Sequence, residues 1–157
     1  MIYDNHSVKR LVISLRRIRR TANPTRALYR NLPLEATHMT KVNIAEKFSK
    51  ITEYWKPYIG AELNGQAVKF DKLKGEFVFH HHENEDELFL VVKGRFRMEF
   101  RDRQEWIEEG EFIVVPRGVE HRPVAEEECW LLLFEPSTTL NTGNVVNERT
   151  ITELERV

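Results

Sequence analysis

Four of the six histidines sit in two short stretches that could do chemistry. The first runs His80-His81-His82-Glu83-Asn84-Glu85-Asp86-Glu87; the second is His121, after the turn Pro116-Arg117-Gly118. On an extended segment residues two apart share a face, so His80 and His82 point the same way. Glu87 follows a four-residue polar break, and a hairpin there would bring facing side chains to within about 5 Å. Three imidazoles and a carboxylate aimed at one interior point would cost several kcal/mol to bury unpaired. A divalent ion removes that cost, taking neutral imidazoles and a carboxylate as ligands. Taken alone, a triple histidine also occurs as an incidental exposed run, so these residues leave both readings open.

The elements that must position them are strands. From residue 58 to about 134, apolar runs alternate with polar or Gly/Pro breaks. Strands are expected at 76–82, 87–93, 95–101, 112–115 and 129–135, and Asn64-Gly65 marks a hairpin. Short strands at this spacing argue an all-β sandwich or barrel. Before them a short helix is expected near 43–51, capped by Asn43, with Glu46 three residues on and Ile44, Phe48 and Ile51 on one face.

With the spacing His80-x-His82-x4-Glu87-x6-Gly94 and then Gly110-x5-Pro116-x-Gly118-x2-His121, the chain resembles the two signature motifs of the cupin superfamily. The resemblance covers roughly residues 72–134. It implies an antiparallel jelly-roll β-barrel with a metal inside the barrel mouth. Carried over residue by residue, the implied ligands are His80, His82, Glu87 and His121, for one divalent transition metal such as Fe, Mn, Zn or Ni. Two departures touch no ligand: only four residues separate Gly75 from His80, and Ala125 stands where an asparagine usually closes the second motif. The family includes dioxygenases, sugar-phosphate isomerases and epimerases, and non-catalytic binding proteins. The expectation is a metal-dependent enzyme on a small organic acid, sugar or phenol, with dioxygenase ahead of isomerase. A small-ligand binding protein is the competing class.

Charge divides the 157 residues unevenly. Residues 1–38 hold eight Lys/Arg against Asp4 and Glu35, a net of +6. Subtracting these from the chain totals of 24 basic and 25 acidic residues leaves 16 and 23 in residues 39–157, a net of −7. This marks a basic N-terminal extension, with one amphipathic helix over 8–20, on an acidic barrel domain at 39–157. No nucleic acid is expected for the acidic barrel. The longest apolar run is six residues, against the ~20 of a transmembrane helix, so no membrane span is expected. The single cysteine, Cys129, favours a reducing, cytoplasmic setting and reads as buried and inert.

Phe89, Phe96, Met98 and Phe112 are expected to wall the cavity, with His81 beside the site, and the segment 137–147 either rims the mouth or runs along the surface. By parity Phe77, Phe79, Leu88, Leu90 and Val92 face away from the metal side. That apolar surface would join a two-fold homodimer, with the 43–51 helix as the local alternative cover.

Overall fold

A computed structural model of the chain describes residues 41–157, and these form one compact unit, Lys41–Val157. The basic extension 1–38, with the helix expected over 8–20, lies outside the described residues. After a short helix, α1 (Ile44–Ser49), come seven strands: β1 (Tyr58–Leu63), β2 (Gln66–Glu76), β3 (Glu87–Lys93), β4 (Arg95–Phe100), β5 (Gln104–Glu108), β6 (Phe112–Val115) and β7 (His121–Pro136). They form one antiparallel sheet in the order β1-β2-β7-β3-β6, with β4 pairing both β7 and β5. The fold is all-β, as expected.

Asn64 and Gly65 turn β1 into β2 with φ of 53° and 80°. Positive φ at both central residues matches a primed turn, which follows the twist of the flanking strands. Two expectations about strands need correction. The segment 76–82 is not one strand: β2 shifts register between Leu73 and Gly75 (φ 81°) and ends at Glu76, after which only His80 pairs, in an isolated bridge to His121. The strand expected at 129–135 starts earlier, at His121, so that residues 126–128 lie inside the 16-residue β7. β2 pairs with both ends of β7, whereas on the other edge β7 passes from β4 to β3, and the exposed Glu126–Glu128 lies where that partner changes. The β3–β4 turn runs close against it. A Cβ on Gly94 would lie 2.8 Å from the Glu128 carbonyl oxygen. The sequence reading also missed β5, in which Ile107 alone is buried. Its Trp106 is held instead under Arg95 and Arg97, at 4.5 and 5.3 Å from the ring centre.

Two apolar clusters follow from the two faces of these strands. Inside lie Phe89, Val91, Phe96, Met98, Leu131 and Leu133 with Cys129. Burial pushes the Cys129 thiol up to about 12, which keeps it inert at neutral pH. Outside, Phe48 of α1 and Ile51 just after the helix cover Phe70 and Leu132, joined by Leu90, Val92 and Trp130. Phe48 stacks on Trp130 at 4.9 Å, and Asn43 caps α1 by accepting from the Glu46 amide at 3.1 Å. Part of the outer face assigned by sequence to a second subunit is thus covered within the chain: Leu90 and Val92 pack against this cluster, Phe77 is buried, and Phe79 lies beneath the guanidinium groups of Arg101 and Arg122. Leu88 is half-buried, and Val114 and Phe112, the register partners of Leu88 and Leu90, are exposed. Phe48→Ala should therefore cost about 3–5 kcal/mol in urea unfolding, the range for emptying a packed aromatic site. A loss under about 1 kcal/mol would mean that α1 adds little to the fold.

Candidate metal centre

Three parts of the chain deliver four buried side chains to one point. His80 and His82 come from the irregular stretch after β2, Glu87 opens β3, and His121 opens β7. Two backbone hydrogen bonds lock the first and last together: His80 N to His121 O at 3.0 Å, and His121 N to His80 O at 2.9 Å. The amide of Gly118 holds the His82 carbonyl at 2.7 Å, which ties the turn before His121 to the histidine stretch. One ligand atom from each of His80, His82, Glu87 and His121 lies within 4.8 Å of the others. All four expected ligands are brought together.

Hydrogen bonding sets the direction of the ring nitrogens. His80 Nδ1 lies 3.0 Å from the Val78 carbonyl, and His121 Nδ1 lies 2.9 Å from the Val119 carbonyl. A carbonyl only accepts, so both Nδ1 atoms carry the proton and both Nε2 atoms present lone pairs. His121 Nε2 approaches Glu87 Oε2 to 3.2 Å and His82 Nε2 approaches it to 3.1 Å. All three atoms are nevertheless buried without a hydrogen-bond partner, because the alignment is not that of a hydrogen bond. Acceptors packed this closely in the interior are costly unless a cation or proton lies between them. The set is one that can hold a divalent transition ion.

Electrostatics agree with the geometry. Burial lowers His80 to about 4, helped by the nearby His121, so its imidazole is neutral at physiological pH. Burial alone would raise Glu87, but the imidazoles of His121 and His82 outweigh it and hold the carboxylate well below its usual range. A neutral His80 and an ionised Glu87 are the forms in which these groups ligate a metal.

Known proteins agree with the arrangement. Residues 68–134 match the family model described as the cupin domain. The crystal structure of a cupin-2 domain containing protein from Shewanella frigidimarina NCIMB 400 is 42% identical, with a TM-score of 0.60, and the match covers 60% of this chain and 93% of that one. The chain belongs to the cupin superfamily. Protein NMB1881 from Neisseria meningitidis is 35% identical at a TM-score of 0.59, over 62% of this cupin and all of that chain. The uncharacterized protein YdbB of Bacillus subtilis (strain 168) is 32% identical over 63 residues, 40% of this chain. The chain spans 56% of that protein's length.

His81 is outside the cluster, as strand parity expects; its Nε2 pairs with Glu83 Oε1 at 2.8 Å. Other expected residues of the cupin fall differently. Phe89 lines the cavity beside the histidines, whereas Phe96 and Met98 are core and Phe112 is 61% exposed. Phe112 faces out because its register partner Leu90 also faces away from the interior. Phe77 instead lines the cavity, its ring 5.4 Å from that of His80, and Trp55 stacks on it at 5.1 Å. Parity put Phe77 on the opposite side from His80, but the two are not on one regular strand, so alternation does not relate them.

The segment after β7 folds back onto the site. Asn144 accepts from the His81 amide through Oδ1 at 2.9 Å, and its own amide donates to the His81 carbonyl at 3.0 Å. Asn141 reaches the cavity wall. Gly143 (φ 51°) makes this closure possible: a Cβ there would lie 2.2 Å from the His81 carbonyl oxygen and 3.2 Å from His82 Cε1. Gly143→Ala must push the histidine stretch aside, and metal affinity should fall by about 10- to 100-fold, as when a group supporting a ligand is lost. Competition with a chelator reads this. Affinity equal to the parent protein's would mean the tail does not hold His82 in place.

Sequence reasoning missed a second polar group on the inner face. Lys69, Asp71 and Glu135 are all buried, with Lys69 Nζ 2.8 Å from Glu135 Oε1 and 3.1 Å from the Thr139 carbonyl. Asp71 and Glu135 line the same cavity as His80 and Glu87. In the sequence Lys69 and Asp71 alternate with Val68 and Phe70 and read as the wet face of a strand. In the cupin, α1 covers Phe70, so the charged residues are the ones turned inward.

Proposed function

We propose that this cupin is a metal-dependent enzyme that binds one divalent transition ion through His80, His82, Glu87 and His121. It would act on a small, partly apolar oxygenated molecule in the adjoining cavity. The observation that carries this reading is the trio of buried, unpartnered atoms His82 Nε2, His121 Nε2 and Glu87 Oε2 facing one another. Bound there, such an ion would supply Lewis acidity and, in the case of iron, O2 activation, since four protein ligands leave positions free on a six-coordinate metal. The carbonyls of Val78 and Val119 keep the His80 and His121 lone pairs aimed at the site. Phe77 and Phe89 lie edge-on to those two rings, at 5.4 and 5.8 Å, and keep bulk water from the donors.

Apolar walls beside the donors suit O2 and an apolar substrate body, which is why dioxygenase chemistry is favoured. The sugar-phosphate variant of the isomerase alternative finds no support in the cation of the Pro116-Arg117-Gly118 turn. Arg117 is exposed and doubly paired to Asp86, through Nε at 3.0 Å and Nη2 at 3.1 Å, and does not line the cavity. The test combines elemental analysis with O2-uptake assays of iron-loaded protein against diols, thiols and enediols. Uptake with one of these substrates supports the oxygenase. Turnover without O2 would replace it with an isomerase or lyase. A loaded protein inert in both assays would leave a ligand-binding role.

A further inference from the structure

The inner face of the barrel has two polar poles. Along β2, β7 and β3, register sets Asp71 opposite Leu131 and Val91, and Lys69 opposite Leu133 and Phe89. Beyond these come Glu135 and Glu87 at the strand ends. Apolar side chains of Leu131 and Leu133 therefore separate Asp71 from the His/Glu cluster, yet both ends line one cavity. Glu135 is paired through Oε1 with Lys69, which also donates to the Thr139 carbonyl, although Glu135 Oε2 has no hydrogen-bond partner. Asp71 is not so engaged. It is 5% exposed and its Oδ1 has no hydrogen-bond partner.

A buried carboxyl with no cation beside it is a liability for folding, so such a group marks a site where a ligand supplies the missing partner. Burial raises Asp71 well above the usual carboxylate range, opposed only by the Lys72 and Lys56 amides. In its protonated form the group both donates and accepts. Among the described residues no Lys or Arg lines this cavity, while Asp71, Glu87 and Glu135 do. A ligand bringing its own negative charge to the Asp71 end would meet carboxyls and apolar walls, with no side-chain cation to offset it.

We propose that Asp71 is the ligand-recognition residue of this cavity, holding a hydroxyl or carbonyl oxygen of a small uncharged ligand whose other end reaches the His/Glu cluster. This rests on the metal reading above and narrows its substrate class from acids, sugars and phenols to neutral oxygen compounds.

Three forms of the full chain test it, each loaded with Mn(II): the parent, Asp71→Asn and Asp71→Leu. Metal content comes first. All three should hold the same amount, and an empty parent would overturn the metal reading itself, and this inference with it. Binding of catechol and of benzoate, a size-matched anion, is then followed by paramagnetic broadening of their proton resonances. Catechol should bind the parent more tightly than benzoate does, lose about tenfold or more in Asp71→Leu, and keep most of its affinity in Asp71→Asn, whose amide still donates and accepts. The thermal midpoint of Asp71→Leu should be equal to or above the parent's, because an apolar side chain relieves an unpartnered carboxyl. Full metal with no catechol binding, or equal catechol affinity in the parent and Asp71→Leu, would overturn the role of Asp71 alone. A lowered midpoint in Asp71→Leu would make it a structural residue instead.

Discussion

His82→Ala and His121→Ala are each expected to remove most of the bound metal, leaving a folded protein with far less than one ion per chain. Each substitution deletes one nitrogen from a set of four and leaves Glu87 Oε2 facing a single imidazole in place of two. The fold should survive, because the His80–His121 bridge is made by backbone atoms and needs no ring. Circular dichroism separates loss of metal from loss of structure. Stoichiometric metal in both variants would sink the ligand assignment.

The largest stability effect is expected at the buried ion pair next to Glu87. Lys69 Nζ and Glu135 Oε1 meet at 2.8 Å with both side chains buried. Burial and the neighbouring Glu87 charge push the Glu135 carboxyl well up, and Lys69 is the one group that opposes them. Lys69→Met deletes that cation from a low-dielectric site, and breaking a buried pair in this way costs about 3–5 kcal/mol. Urea unfolding at neutral pH should show it. The double variant Lys69→Met with Glu135→Leu should recover much of the loss, since no uncompensated charge remains. A single variant within about 1 kcal/mol of the parent would mean that the pair contributes little.

These two predictions differ in how far the sequence foretold them. The four residues of the metal cluster were legible because their spacing matches two cupin motifs, and because Pro116 and Gly118 mark the turn that returns His121 to the histidine stretch. The Asn43 cap, the Asn64-Gly65 hairpin and the inert Cys129 were legible from local chemistry. What stayed hidden depended on which face of a strand is covered. Lys69 and Asp71 look solvated until α1 is placed over Phe70, and Phe77 looks outward until Gly75 and the register shift beside it end β2 before His80. The closure by Asn144 and Gly143 rests on contacts some 60 residues apart in the chain, which periodicity does not report. β5 escaped for a simpler reason: with only Ile107 buried it has no apolar alternation to read.

The central claim is that His80, His82, Glu87 and His121 form one metal sphere. X-ray absorption at the metal edge of the reconstituted full-length protein tests it most directly. The expected spectrum shows one ion per chain, with imidazole scattering from three histidines and a first shell of nitrogen and oxygen at about 2.0–2.2 Å. A protein that takes up no metal on reconstitution, or a bound ion whose spectrum lacks imidazole scattering, would contradict it.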